Sequence, residues 1–178
     1  MRTLVVRRHT MRRKPGPHLS QLGIELARLV GDRSGPYQWV ATSPLPRAVE
    51  TAVAMGFEVN QTVEDLARMP SGALDDWPLP FAAVSELVNA GGAAAEFADR
   101  TLGIWREIVE KIPESGKALI VTHGGIVELG AVAAVPGGPH RAWGGPIGYL
   151  EGVRLTFAGD TCRCRVLRLP EDQRQISN

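Results

Sequence analysis

Three short clusters of polar residues have side-chain types that can bind and attack a phosphoryl group. Arg8-His9-Thr10 follows the apolar run TLVVR, the run SPLPR (residues 43–47) follows QWVAT, and His123-Gly124-Gly125 follows KALIVT. An arginine presents a planar fork of donors that suits phosphate oxygens. A neutral imidazole can attack phosphorus and form a phosphohistidine. The clusters therefore predict a pocket that holds an anion beside a nucleophile.

The cationic neighbours of His9 bear on its protonation. Like charges disfavour an imidazolium, so we expect Arg8 and Arg47 to lower the pKa of His9 and keep its ring neutral. His123 stands at the predicted start of a helix and could donate to an oxyanion that develops on the phosphoryl group. In the alternative interpretation, the histidines are ordinary hydrogen-bonded residues, and Arg47 forms a surface pair with Glu50.

Short elements that alternate along the chain must position these clusters. The pattern predicts strands at residues 3–7, 38–42 and 117–122, helices at 19–29, 47–55, 93–112 and 124–134, and a hairpin of strands 149–157 and 161–169. Residues 63–80, rich in Pro, Gly and Asp, indicate a lid or rim. We expect one α/β domain over residues 1–178, a three-layer α/β/α sandwich with a mostly parallel central sheet and an antiparallel edge hairpin. Ligands collect at the carboxyl ends of strands in such sheets, where all three clusters fall.

Composition limits the classes of partner. The chain has 178 residues and a net charge of +1, which does not favour nucleic acid binding, so the basic run at residues 7–14 is a local feature. The first apolar run is too short for a signal sequence and no segment predicts a membrane span, so we expect a soluble, cytoplasmic protein. Cys162 and Cys164 supply at most half of a zinc site, and we expect no metal.

The segments VVRRHT, ATSPLPRAVETA and ALIVTHGG, in that order, resemble the histidine phosphatase superfamily, also called phosphoglycerate mutase-like. The resemblance implies that His9 is the phosphorylated nucleophile, that Arg8 and Arg47 bind phosphate, and that His123 is the second histidine of the pocket. It also implies a phosphomonoesterase that needs no metal or organic cofactor. A mutase is less favoured, because resemblance to the mutases implies a longer chain with inserted segments.

The first motif departs from the family pattern. Thr10 and Met11 stand where the family has Gly and often Glu, and Pro15 stands near the place of an Asn. The Thr10 hydroxyl could bind a phosphate oxygen or only tolerate the backbone geometry. Arg12, or another basic residue of this loop, could replace the missing contact. Together with Ser43 and Gly124, Thr10 and Arg12 are the predicted substrate-binding residues.

Hydrolysis of an alkyl phosphate needs an acid for the leaving oxygen. The segment VEDL places Asp65 where the family commonly has this acid, with Glu64 beside it, and the pair Asp75-Asp76 is a further alternative. A phosphoramidate or phosphoanhydride substrate has a better leaving group and would lessen the need for any acid.

Three functions remain open at this point. The first is hydrolysis of a phosphorylated small molecule or protein through a phosphohistidine on His9. The second is a phosphohistidine or phosphoramidate protein phosphatase, which the short chain favours. The third is a catalytically silent member that binds phosphorylated ligands, which the altered first motif favours. The sequence predicts no oligomeric state.

Overall fold

The fold is described for residues 1–159 and 161–177 of a computed structural model. The strands there are β1 (Arg2–Arg8), β2 (Trp39–Thr42), β3 (Gln61–Thr62), β4 (Lys117–Thr122), β5 (Gly152–Ala158) and β6 (Thr161–Leu167). The α-helices are α1 (Gln21–Gly31), α2 (Pro46–Ala54), α3 (Phe81–Ala90), α4 (Gly92–Glu110) and α5 (Ile126–Ala134). Single 3-10 turns cover Glu64–Leu66 and Glu171–Gln173.

The six strands form one sheet in the order β3-β2-β4-β1-β5-β6. The first four strands run parallel to one another, and β5 and β6 are antiparallel additions at the β1 side. The mostly parallel sheet with an antiparallel edge hairpin is thus confirmed. The order places the carboxyl ends of β2, β4 and β1 next to one another, and these are the ends that carry the three polar clusters.

Helices cover both faces of the sheet. Successive side chains of a strand point to opposite faces, and on β1 Val5 packs in the cluster that contains residues of α1 and α2, whereas Leu4 and Val6 pack in the cluster formed with α3, α4 and α5. On β4, Leu119 and Ile120 divide between the clusters in the same way. A strand covered on both faces is apolar at every position rather than at alternate ones, which confirms the three-layer sandwich.

Local signals set the helix starts that lie closest to the polar clusters. Ser20 caps α1, since its hydroxyl accepts the Gly23 N–H at 3.1 Å. Pro46 opens α2 and lacks an N–H that the first helical turn would leave unpaired. Arg47 therefore lies in the first turn of α2, beside the end of β2.

The structure differs from the sequence prediction at several points. Helix α3 is absent from the prediction, although Pro80 before it and Gly91 after it are boundary signals. Strand β5 begins at Gly152, three residues later than expected, and Tyr149 precedes it. Asp160, predicted in the hairpin turn, lies outside the described residues. No helix in the described ranges is long and apolar enough to cross a membrane.

The two cysteines of β6 are free thiols that pack against the larger core cluster. Burial raises the pKa of Cys162 to about 11 and that of Cys164 to about 12. A thiol with so high a pKa is a poor nucleophile and a poor metal ligand near neutral pH.

Candidate active site

The ends of β1 and β4 bring the two predicted site histidines together. The ring centres of His9 and His123 lie 5.2 Å apart in an edge-to-face arrangement. The exposed fractions are 6% for His9 and 8% for His123. The backbone N–H of His9 donates to the Thr122 carbonyl at 2.8 Å, which continues the pairing of the two strands and fixes the distance between the rings.

The orientation of the His9 ring assigns its proton. Nδ1 lies 2.6 Å from the backbone carbonyl oxygen of Thr10. A carbonyl can only accept, so Nδ1 of a neutral ring must carry the hydrogen. The lone pair is then on Nε2, which is the nitrogen that can act as a nucleophile.

His9 is strongly biased toward its neutral form. Its pKa lies well below the ordinary value, because burial disfavours the charged ring, with further lowering from His123, Arg8 and Arg47. The predicted direction is confirmed. The main cause differs from the prediction, since removal from water outweighs the two arginine charges.

His123 is also held neutral and is tied to β2. Burial, followed by the charges of Arg47 and Arg8, lowers its pKa to about 3. Its Nε2 lies 2.8 Å from the Ser43 hydroxyl oxygen, which also accepts the Leu45 N–H. When Ser43 donates to Nε2, the ring proton sits on Nδ1, a buried atom that has no hydrogen-bond partner within the described ranges. Nδ1–H is then a buried donor that no group in the described residues accepts.

The lowered pKa of His123 predicts how stability depends on pH. An unfolded histidine binds a proton below its ordinary pKa of 6.5, whereas folded His123 stays neutral to about 3. The unfolded state therefore binds more protons in this range, and the free energy of unfolding falls as pH falls. We expect His123→Gln to show a shallower fall than the wild type in urea unfolding between pH 7 and 4. Equal slopes for the two proteins would contradict the assignment.

Arg8 is enclosed by two aromatic rings and two carbonyl groups. Its guanidinium carbon lies 4.0 Å from the ring centre of Tyr149 and 4.8 Å from that of Trp77. Nη1 donates to the carbonyls of Ile147 at 3.1 Å and Ile176 at 2.7 Å. Nε is buried and has no hydrogen-bond partner in the part of the chain described here. Because buried polar groups are usually paired, the free Nε is consistent with an anion-binding role.

A cavity of about 420 Å³ opens beside His123, and neither His9 nor Arg8 is among the residues that line it. Of the predicted site residues, Arg47, His123 and Gly124 line it. The other lining residues are Ile126 and seven residues of the predicted rim, namely Ala67, Arg68, Met69, Pro70, Ser71, Leu74 and Asp75. Leu74 is buried in the core, so part of this rim is anchored to the fold.

Three of the four predicted substrate-binding residues make contacts within the fold and do not line the cavity. The Thr10 hydroxyl donates to the Gly23 carbonyl at 3.1 Å, so its proton is used to join the β1 loop to α1. Arg12 donates to the Gly16 carbonyl at 3.0 Å within its own loop. Neither residue is among those that line the cavity. Ser43 is fully buried and acts on His123 rather than facing the cavity.

The structure separates the candidate acids. Asp65 lies in a different groove, beside Arg100, Gly103 and other residues of α4. Leu66 packs into the core and leaves the preceding Asp65 exposed on this side, so the geometry does not support Asp65 as the acid. Asp75 lines the cavity that contains His123. Its Oδ1 accepts the Gly72 N–H at 2.9 Å, which fixes the carboxyl in the rim.

The pair Arg47–Glu50 is not formed. Glu50 instead accepts from the Leu19 N–H at 2.9 Å and contacts the His18 ring. Arg47 therefore keeps its place in the cavity wall without a carboxylate partner within the described residues.

Gly124 is required by the close approach of Trp77. A Cβ at residue 124 would lie 2.2 Å from Cζ2 of the indole. We expect Gly124→Ala to lower the free energy of unfolding by about 1–3 kcal/mol, because the ring must move. Gly103→Ala is the matched control: nothing lies within 4 Å of its Cβ, and the change in α4 should stabilise by about 0.5–1 kcal/mol. Equal denaturation midpoints for the two variants would contradict this packing.

Sequence reasoning missed three residues of this region. Tyr149 was assigned to a strand, yet its ring centre lies 5.7 Å from that of His9. Arg68 lines the cavity, and its charge acts on Arg47. Glu128 is a lone acid in the apolar run GIVELGAVAAV, which was the available signal. Within the described residues, no group of three or more His, Cys, Asp or Glu side chains is placed to hold a metal ion.

Comparisons with known proteins bear on the family and on the fold. The sequence model of the histidine phosphatase superfamily (branch 1) matches residues 2–79 and 71–170. A search of curated proteins gave no significant match.

Several solved structures share the fold. Phosphoserine phosphatase from Entamoeba histolytica, in complex with 3-phosphoglyceric acid, has a TM-score of 0.70 at 14% identity, over 97% of this chain and 100% of that one. A mycobacterial glucosyl-3-phosphoglycerate phosphatase gives 0.65 at 23%, over 94% and 98%. Phosphoglycerate mutase from Bacillus anthracis gives 0.63 at 16%, over 93% and 92%. At these identities the likeness shows the fold alone, whereas the family match covers most of the sequence and includes both histidine motifs. The chain belongs to the histidine phosphatase superfamily.

Proposed function

We propose that the protein hydrolyses phosphate monoesters through a phosphohistidine on Nε2 of His9, without a metal or an organic cofactor. The observation that carries this proposal is the Nδ1 contact with the Thr10 carbonyl, which leaves the lone pair on Nε2. The low pKa of His9 keeps that lone pair available near neutral pH.

In the first step, Nε2 attacks phosphorus and the bond from phosphorus to the ester oxygen breaks. Arg47 in the cavity wall and Arg8 beside the histidines neutralise the charge on the phosphoryl oxygens. His123 donates from Nδ1 to one of these oxygens. In the second step, water attacks phosphorus, the bond to Nε2 breaks, and inorganic phosphate is released.

The proposed acid is Asp75, which the sequence motif indicates only as an alternative to Asp65. It shares the cavity with His123, where the leaving group of a bound substrate would lie. Asp75 gives its proton to the leaving oxygen in the first step and takes one from water in the second.

The relatives suggest the class of substrate. Two of the neighbouring structures are phosphatases whose names specify small phosphorylated acids, phosphoserine and glucosyl-3-phosphoglycerate. The cavity in this chain has a volume suited to a small molecule and carries a second cation, Arg68, beyond Arg47. We infer a phosphorylated small molecule as substrate in preference to a phosphoprotein.

The proposal is tested by phosphate release from an activated aryl phosphate in the presence of a strong chelator. Turnover that the chelator does not reduce is the expected result. Turnover that disappears with chelator and returns with added metal would contradict metal independence. Absence of turnover with inorganic phosphate still bound would instead identify a catalytically silent ligand-binding member.

A further inference from the structure

We propose that Glu128 is a positioning residue that holds Arg8, and the turn after His123, in the geometry that binds phosphate. The inference rests on the proposed function, because it assigns Arg8 to the phosphoryl group. Glu128 does not line the cavity and touches none of the reacting atoms.

The burial of Glu128 is complete. Its side chain lies in α5, where residues 126–132 are all buried, and its exposed fraction is 0%. Removing a carboxyl group from water is costly unless donors replace the lost water contacts. An apolar side chain at this position would avoid that cost, so the carboxyl calls for an explanation beyond packing.

Three donors supply the missing contacts. Oε1 accepts the indole N–H of Trp77 and the backbone N–H of Ile147, each at 3.0 Å. Oε2 accepts the backbone N–H of Gly125 at 2.7 Å. One carboxyl group thereby joins the rim segment, the loop before β5 and the first turn of α5.

Each of these partners is adjacent to a residue of the proposed phosphate site. The Trp77 ring packs against the Arg8 guanidinium, and the Ile147 carbonyl accepts from Arg8 Nη1. Gly125 follows His123 by two residues. Glu128 therefore fixes two of the groups that enclose Arg8 and the backbone that carries His123.

Charge contributes in the same direction. No salt bridge joins Glu128 to Arg8 within the described ranges. The two residues are linked instead through Trp77 and Ile147, which both of them contact. Burial lowers the pKa of Arg8, and the carboxylates of Glu128 and Glu151 offset part of that lowering. Burial raises the pKa of Glu128, and its N–H donors from Ile147, Trp77 and Gly125 oppose that rise by stabilising the carboxylate. In this form Glu128 favours a cationic Arg8 without covering its donors.

The test is the affinity for inorganic phosphate, measured by calorimetry in the intact protein. Glu128→Gln preserves the shape of the side chain but removes its charge and turns a donor toward one of the three N–H groups. We expect phosphate to bind about 10-fold to 100-fold more weakly, the range expected when charge-assisted contacts are lost. For the active enzyme, KM should rise more than kcat falls.

Val127→Ala is the matched control for stability, because Val127 is a fully buried neighbour in α5 that packs only in the core. It should lower the melting temperature and leave phosphate affinity within about twofold, a difference that corresponds to less than 0.5 kcal/mol. If Glu128→Gln weakens phosphate binding no more than Val127→Ala does, Glu128 is a structural residue and the inference is overturned.

A second variant, Trp77→Phe, tests the inference even if Glu128→Gln does not fold. Trp77→Phe keeps an aromatic ring near Arg8 but removes the N–H that Glu128 accepts. It should also weaken phosphate binding. In the double variant, the fold-loss of phosphate affinity should be smaller than the product of the two single fold-losses, because the two residues act together. Unchanged affinity in Trp77→Phe would overturn the inference.

The binding readout also separates this inference from the proposed function. A wild type that binds phosphate but releases none from esters would refute hydrolysis, and the effect of Glu128→Gln on binding would still decide the role of Glu128.

Discussion

His9→Ala should lower kcat/KM for a phosphate monoester by at least about 10³-fold, the scale seen when a covalent nucleophile is removed. The reason is geometric. The Thr10 carbonyl accepts the Nδ1 hydrogen of His9 and leaves the Nε2 lone pair free, whereas the Nε2 of His123 is engaged with Ser43. Inorganic phosphate should still bind, because Arg8, Arg47 and His123 are retained. The measurement is steady-state hydrolysis together with phosphate binding by calorimetry.

His18→Ala provides the control for this prediction. His18 is an exposed histidine that contacts Glu50, and its loss removes no residue of the cavity. Its activity should equal that of the wild type within about twofold, as surface substitutions rarely matter. Residual activity of His9→Ala above about one tenth of the wild-type value would remove His9 from the role of nucleophile, since nucleophile loss costs far more.

Asp75→Asn should show an effect that depends on the leaving group. For an alkyl phosphate, whose departing alkoxide needs a proton, we expect kcat/KM to fall by about 10²-fold or more, the usual contribution of a general acid. For a nitrophenyl phosphate, whose leaving group departs without a proton, the loss should be small. The experiment compares both substrates in the variant and in the wild type.

Two neighbouring acids serve as controls for Asp75. Asp76 is equally exposed and does not line the cavity, and Asp65 lies in the groove beside α4. Asp76→Asn and Asp65→Asn should retain the wild-type ratio of kcat/KM for the two substrates. If Asp65→Asn lowers kcat/KM for the alkyl phosphate only, and Asp75→Asn leaves kcat/KM for both substrates unchanged, then the general acid is Asp65, the residue that the sequence motif indicates.

The positions of the histidines could be predicted because each depends on local order along the chain. His9 and His123 directly follow apolar runs, and the parallel arrangement of those strands brings their ends together. The same reasoning located Ser43 and Arg47 at the end of β2. The sequence does not predict that Ser43 contacts His123 rather than the cavity. That contact depends on how far β2 and β4 each extend before their polar residues begin.

The acid and the supporting residues depended on packing that the sequence does not show. Asp65 fits the motif spacing, but the burial of Leu66 leaves it beside α4, whereas Asp75 lines the cavity. Glu128 and Tyr149 act through contacts between segments far apart in the chain. Neither the spacing of apolar residues nor a sequence motif predicts such contacts, although a single acid within an apolar helix indicates a buried carboxyl group.

The most direct test of the phosphohistidine mechanism is to mix the enzyme with substrate, quench it in base within one turnover, and locate any covalent phosphoryl group by peptide mass spectrometry. We expect one phosphoryl group on His9, stable in base and lost in acid, and none in His9→Ala. A covalent phosphoryl group on another residue, or its absence in an enzyme that turns over, would contradict this mechanism.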